Sequence, residues 1–303
     1  MNAVSIEQLI ASTGFCKCEE ITDLALMKTG MTNQSYSFCT KGKKYIIRIP
    51  GEGTSLLINR RSEYDVYRSV ENVNISEDIH FFDPDSGMKI ASFLEGYSPC
   101  KADSFDDVAK CMHALRRFHN LKLSVTHTFD LWQQIDYYES LLDGQHSCYP
   151  DYPETKAAVL ALRDFIEKQP REWTLCHIDS VPDNFLIKES GNGEQKVRLI
   201  DWEYAGMQDP HVDIAMFAVY SMYDRFSVDR LIDLYFPEGC SAQTRMKIYC
   251  YMAVSGLLWS NWCEFKRKCG VEFGIYAQRQ YEYAKEYAAY FQEHASFLIQ
   301  DNT

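Results

Sequence analysis

A chain of 303 residues is long enough to bury a sizeable core and form two lobes, and short for three domains. Apolar residues at 46% and charged residues at 24% are ordinary for a soluble enzyme. The formal charge of -12 argues against nucleic acid, which favours a basic face, and sits better with a small cationic ligand.

The first third alternates short β-rich runs with turn signals. Asp23 to Lys28 reads as a strand and Thr29-Gly30 as a turn; Ser35 to Thr40 is a second strand, followed by the tight turn Lys41-Gly42-Lys43. Tyr45 to Ile49 is a third strand, stopped by Pro50-Gly51, and a helix is expected from about Leu56 to Val70. Strands near Ile79–Phe82 and Met88–Leu94 flank the turn Asp83-Pro84-Asp85-Ser86-Gly87. From about residue 96 the pattern turns helical. Ser104 followed by Asp106 and Asp107 opens a helix to about Asn120, with others near 130–143 and 154–168. Strands over Phe185–Lys188 and Lys196–Asp201 flank the turn Ser190-Gly191-Asn192-Gly193. Helices resume from about Val212; in the last, Ala277, Tyr281, Ala284, Ala288, Phe291, Ala295 and Leu298 form one apolar face. The expected class is α+β. A β-rich N-terminal lobe over 1–95 carries the nucleotide side, and a mostly helical C-terminal lobe over 96–303 carries the catalytic loop and substrate pocket.

Eleven cysteines are scattered with no C-x-x-C pair or metal-ligand spacing, which points to reduced thiols in a cytoplasm. The start Met1 to Glu7 has no basic region before an apolar stretch, so no signal peptide is suggested. The uncharged run between Lys247 and Glu264 is shorter than the roughly 20 residues a bilayer span takes. None of these signals bears on oligomeric state.

The chemistry concentrates in two stretches. His177-Ile178-Asp179 is followed by Asn184, and Leu199-Ile200-Asp201-Trp202-Glu203 comes after the next hairpin. Phosphoryl transfer needs a carboxylate to receive a hydroxyl proton, a role for Asp179. It also needs hard oxygen ligands for Mg²⁺ on the phosphates of ATP, a role for Asn184 and Asp201. His177 reads as an orderer of the loop and Asp183 as solvated. Glu203 either touches metal through water or faces solvent. Gly30-Met31-Thr32-Asn33 joins the first two strands, where backbone N–H groups can meet phosphate oxygens; no Walker loop occurs anywhere. Arg48 on the third strand and Glu63 on the helix after it match the strand-cation and helix-acid pair of kinases, the alternative being two surface charges. Trp259 and Trp262 share a helix face, with Glu264, Glu272 and Tyr276 beyond them. Aromatic faces with nearby acids suit a quaternary ammonium group, although two tryptophans on one helix are also ordinary core.

These residues resemble the choline/ethanolamine kinases, most closely the bacterial LicA-type choline kinases, within the aminoglycoside-phosphotransferase-like group. The likeness runs from about Met27 to Tyr287. Its carriers are Thr29-Gly30-Met31-Thr32-Asn33, Ile47-Arg48-Ile49-Pro50-Gly51, Ile58 to Glu63, His177 to Leu186, Ile200 to Ala205, Asp213-Ile214-Ala215, Leu258 to Trp262 and Glu272-Phe273-Gly274. The resemblance implies a bilobal protein-kinase-like fold and ATP-dependent phosphorylation of a choline hydroxyl. It implies Asp179 as base, Asn184 and Asp201 as magnesium ligands, and Tyr204, Trp259, Trp262 and Tyr276 around the ammonium group. One departure is visible. Some eukaryotic members carry an acid in the helix after the Asp-Ile run, where this chain reads Met216-Phe217-Ala218-Val219-Tyr220. Ethanolamine, another amino alcohol or an aminoglycoside is the alternative acceptor, and a non-catalytic kinase-like binder the remote one.

Overall fold

Strand-forming runs in the first hundred residues build one antiparallel sheet in the computed structural model, which describes residues 5–29, 33–51, 54–144, 146–189 and 195–300. The chain divides into two compact units, one of Met1–Ser98 with Leu186–Tyr204, the other of Pro99–Phe185 with Ala205–Thr303. A single cut near residue 95 does not describe this division, because a hairpin from the middle of the chain groups with the N-terminal sheet.

The first unit opens with helix α1 (Ile6–Ser12), whose N-cap Ser5 and Gln8 form a capping box. Strands β1 (Thr22–Thr29), β2 (Asn33–Thr40) and β3 (Lys43–Pro50) follow. Helix α2 (Arg60–Val70) precedes β4 (Ile79–Phe82) and β5 (Lys89–Ser92). The sheet order is β1-β2-β3-β5-β4. Ile10, Phe38, Ile47 and Ile90 are fully buried at its centre, with aromatic edges from Phe15 and Tyr45 packed against them. Helix α2 starts at Arg60 rather than near residue 56. Thr54–Leu56 forms a 3-10 turn first, and the Asn59 side chain then accepts the Ser62 N–H as N-cap. Its inward face is Arg60, Glu63, Val66, Tyr67 and Val70, so two charges lie where the pattern calls for apolar groups.

Phe185–Glu189 and Gln195–Leu199 are neighbouring strands of a second sheet. The expected turn Ser190 to Gly193 lies outside the described residues. Leu199 N–H donates to the Ile75 carbonyl at 2.8 Å, and the fully buried Trp202 donates its indole N–H to Ser76 Oγ at 2.9 Å. These bonds fix the segment that carries Asp201 and Glu203.

The second unit is mostly helical: α3 (Phe105–Asn120), α4 (Leu131–Ser140), α5 (Tyr152–Leu160), α6 (Arg163–Lys168), α7 (His211–Tyr220), α8 (Arg225–Tyr235), α9 (Ala242–Lys268) and α10 (Ile275–Gln300). The helix expected over 154–168 is two helices, parted at Ala161 and Leu162 without glycine or proline. Helix α9 is buried from Met246 to Lys266, so it is covered on all sides and forms the centre of the unit. Gly256 lets α10 approach, since a Cβ there would lie 2.5 Å from the Gln280 carbonyl oxygen. On α10, Tyr281, Ala284 and Ala288 are buried, as the apolar stripe requires. Two three-residue strands, Thr174–Cys176 and Gly206–Gln208, pair antiparallel immediately before the His177 loop and after Ala205.

Candidate active site

In the first unit, β3 delivers Arg48 between Ser35 of β2 and Lys89 of β5. Its guanidinium is 5% exposed and meets Glu63 Oε1 at 2.5 Å, Asp201 Oδ1 at 3.1 Å and Glu203 Oε2 at 3.7 Å. Arg48 and Glu63 are therefore a buried pair and not two surface charges. Burial opposes the Arg48 charge, but Glu63, Asp201 and Glu203 outweigh it and hold the group firmly protonated. Glu203 does not face solvent. It is buried, accepts from Asn33 Nδ2 at 3.0 Å and from Arg60 at 3.0 Å, and so joins the strand end to the start of β2. Burial works to raise its pKa, yet Arg48 and Arg60 pull it below the usual glutamate range.

Asp201 lies two residues past the end of its strand, with φ at +66°. That left-handed conformation is uncommon outside glycine and aims the carboxylate away from the strand line. Its side chain stays 35% exposed. Burial, then the neighbouring Glu203, pushes the Asp201 carboxyl up to about 6 against the pull of Arg48. Oδ2 makes no hydrogen bond or ion pair among the described residues, which leaves a hard oxygen available. Of the four-residue turn expected over phosphate, only Asn33 is described; Gly30, Met31 and Thr32 lie outside the described residues.

In the second unit, the loop after Thr174–Cys176 is pinned by a residue to which the motif reading gave no role. Asp213, fully buried in the first turn of α7, accepts Ile178 N–H through Oδ1 at 2.7 Å and His177 N–H through Oδ2 at 2.8 Å. His119 Nε2 lies 2.9 Å from the same Oδ2, and Tyr235 hydroxyl 2.8 Å from His119 Nδ1. Ile178 needs that grip, because a β-branched residue at φ +66° is strained. Cys176 joins His119 and Asp213 in a close buried group, but the His and Asp are already committed to these bonds. Asn184 donates Nδ2 to the Asp179 carbonyl at 2.8 Å and to Asp179 Oδ2 at 3.0 Å. The amide thus orients the carboxylate, and its own oxygen accepts no hydrogen bond among the described residues. Asp183 is exposed.

The aromatic residues form a chain of contacts in the same unit. Trp259 and Trp262 meet edge to face at 5.9 Å, Trp262 and Phe273 at 5.3 Å, Phe273 and Tyr276 at 6.3 Å, and Tyr276 and Tyr220 at 5.6 Å. Tyr220 was not among the residues picked from sequence; a tyrosine at the end of an apolar helix gives no periodic signal. Burial, then Asp179 and Asp183, pushes its hydroxyl up to about 12. Burial, Cys263, Tyr220 and Asp179 raise Tyr276 well above its ordinary range, so Asp179 acts electrically on both tyrosines. Trp259 Nε1 donates to Met216 Sδ at 3.0 Å, at the start of the acid-free run Met216 to Tyr220. Tyr204 falls at the end of the first unit, apart in the chain division from the tryptophans. Glu264 is not an open countercharge: its Oε1 accepts Cys148 N–H at 2.7 Å and pairs with Arg267 at 3.4 Å. With Glu272 it lines a cavity of about 570 Å³ that also includes Tyr149, Phe273 and Tyr281.

A strand arginine paired to a helix glutamate beside a metal-type aspartate, together with an Asp–Asn loop, are parts that protein-kinase-like phosphotransferases share. Comparison with known proteins narrows that class. The family model for choline/ethanolamine kinases matches residues 24–228, and the chain belongs to that family. It is similar to protein LicA of Haemophilus influenzae strain Rd, 26% identical over 269 residues that cover 84% of this chain and 97% of the relative. The crystal structure of the choline kinase LicA from Streptococcus pneumoniae superposes with a TM-score of 0.79 at 28% identity, covering 94% of this chain and 99% of that one. A structure of LicA in complex with AMP gives 0.78 at 29% identity, covering 94% and 97%. The α+β fold is thus that of the protein-kinase-like choline kinases. No helix among the described residues is long and apolar enough to cross a membrane, and all 11 cysteines are free.

Proposed function

We propose that the protein transfers the γ-phosphoryl group of ATP to the hydroxyl of choline, giving phosphocholine and ADP, in a cytoplasmic setting with Mg²⁺ as the metal. The observation that carries the choice of acceptor is the run of ring contacts from Tyr220 through Tyr276 and Phe273 to Trp262 and Trp259, with Asp179 among the charges that raise both tyrosines. A carboxylate for a hydroxyl beside ring faces for a trimethylammonium group matches both ends of choline, and each cation–ring contact contributes about 0.5–2 kcal/mol. The net charge of -12 favours the same cation.

Each residue then has a task. Asn184 Nδ2 holds the Asp179 carboxylate in place, and Asp179 accepts the hydroxyl proton. The Asn184 amide oxygen and Asp201 Oδ2 accept no hydrogen bond among the described residues, and each is a hard oxygen of the kind magnesium takes. The metal, when bound, neutralises charge on the phosphates. Arg48, fixed by Glu63, offers a guanidinium whose Nε is buried and unpartnered among the described residues, a donor suited to a phosphate oxygen. The sequence pattern assigns Gly30, Met31 and Thr32 to the phosphates and Tyr204 to the ammonium group.

The test is Asp179→Asn. It should fold and bind Mg-ATP with unchanged affinity while kcat for choline falls about 10²- to 10⁴-fold, the worth of a general base. A variant with near-normal turnover would refute the assignment.

A further inference from the structure

Arg60 was not singled out by any motif, yet its guanidinium meets four partners. It is 7% exposed. One guanidinium nitrogen donates to Glu63 Oε2 at 2.8 Å and Glu203 Oε2 at 3.0 Å; the other donates to Asn33 Oδ1 at 3.2 Å and Thr54 Oγ1 at 3.3 Å. It is also the first residue of α2, the end of a helix at which a positive charge is unfavourable. Keeping a buried cation there breaks both the amphipathic pattern and the helix-dipole rule, the kind of local conflict that accompanies function.

The geometry points to its role. Three carboxylates, Glu63, Asp201 and Glu203, share two guanidiniums, Arg48 and Arg60. Glu203 Oε2 is 3.0 Å from Arg60 but 3.7 Å from Arg48. Arg60 therefore takes the charge of Glu203, and Arg48 is left closer to Glu63 and Asp201. We propose that Arg60 is a positioning residue of the nucleotide–metal site: by holding Glu203 and Asn33 it keeps Arg48 and Asp201 placed for Mg-ATP. The inference rests on the proposed assignment of Asp201 to metal and goes one shell beyond it. Without Arg60, Glu203 competes with Asp201 for Arg48, and Asn33 Oδ1 loses its bond to Arg60 at the start of β2.

Gly87 offers an independent way to disturb the same group. It sits at φ +76°, its carbonyl accepts from Arg48 at 3.2 Å, and a Cβ there would lie 2.3 Å from Arg60 Cδ. Gly87→Ala thus displaces Arg60 with every charge retained.

The experiment measures Mg-ATP affinity by calorimetry without acceptor, KM for choline, and Tm, for wild type, Arg60→Met, Arg60→Lys, Gly87→Ala and Asp201→Asn. Arg60→Met should weaken Mg-ATP about 10- to 100-fold, as loss of an outer-shell partner does, and leave KM for choline unchanged. Arg60→Lys should recover part of the loss, and Gly87→Ala should repeat the split. Folded Arg60→Met with wild-type Mg-ATP affinity overturns the inference, as does a variant that loses Tm alone. If Arg60→Met does not fold, Arg60→Gln decides by the same criteria. Asp201→Asn is the control for the underlying reading: Mg-ATP affinity unchanged in that variant shows that the metal assignment failed, not Arg60.

Discussion

Replacing Asp213 by asparagine is the sharpest probe of how the catalytic loop is held. The two carboxylate oxygens serve three donors: Ile178 N–H on Oδ1, and His177 N–H and His119 Nε2 on Oδ2. Asparagine supplies one oxygen and one NH2. Whichever way it turns, one buried backbone N–H faces another donor and is orphaned, a cost of about 1–3 kcal/mol. The loop has little reserve against this, since Ile178 is held in a left-handed conformation that itself costs about 1–3 kcal/mol. A shift of that size in the occupancy of the strained loop lowers turnover by about 10- to 100-fold, with 1.4 kcal/mol for each factor of ten. Single-turnover ADP formation with choline, alongside thermal melts, reads both effects. Wild-type turnover in Asp213→Asn would refute the reasoning. A lowered Tm with intact turnover would make Asp213 a structural residue only.

Two further outcomes follow from the same geometry. Tyr276→Leu removes one ring from the contact with Tyr220 and Phe273, and should raise KM for choline about 2- to 30-fold through loss of a cation–ring contact, with KM for ATP unchanged; equal changes in both constants would contradict the pocket assignment. His211 is pushed down to about 4, first by burial and then by Lys247 against the pull of Asp209. The unfolded chain therefore binds a proton near pH 6.5 that the folded protein refuses until about pH 4. Stability is full above 6.5 and falls through that window by up to about 3 kcal/mol. Urea titrations of His211→Phe should show a flatter decline from pH 7 to 4 than wild type, and parallel curves would exclude this source.

The strands of the first sheet were legible because alternating apolar runs stand between Gly, Pro and Asp turns, as in Lys41-Gly42-Lys43. Asp179, Asn184 and Asp201 were picked out because metal-assisted phosphoryl transfer restricts which side chains can serve. What stayed hidden has common physical causes. Thr174–Cys176 and Gly206–Gln208 are too short to show a period. Arg60 drew no reading, and Glu203 stayed open between metal and solvent, because only the fold shows that they neutralise one another. Asp213 acts through backbone N–H groups, which leave no mark on side-chain spacing. The capping box of Ser5 and Gln8 was visible in principle, and it opens the short helix α1 that no strand pattern foreshadowed. A mid-chain hairpin that groups with the N-terminal sheet defeats any single boundary.

The account turns on the acceptor. Phosphorus NMR of the purified protein with Mg-ATP and equal choline and ethanolamine measures it directly. The expected spectrum shows phosphocholine rising in step with ADP and ahead of phosphoethanolamine. Phosphoethanolamine in excess, or no phosphate ester while ATP persists, would contradict it.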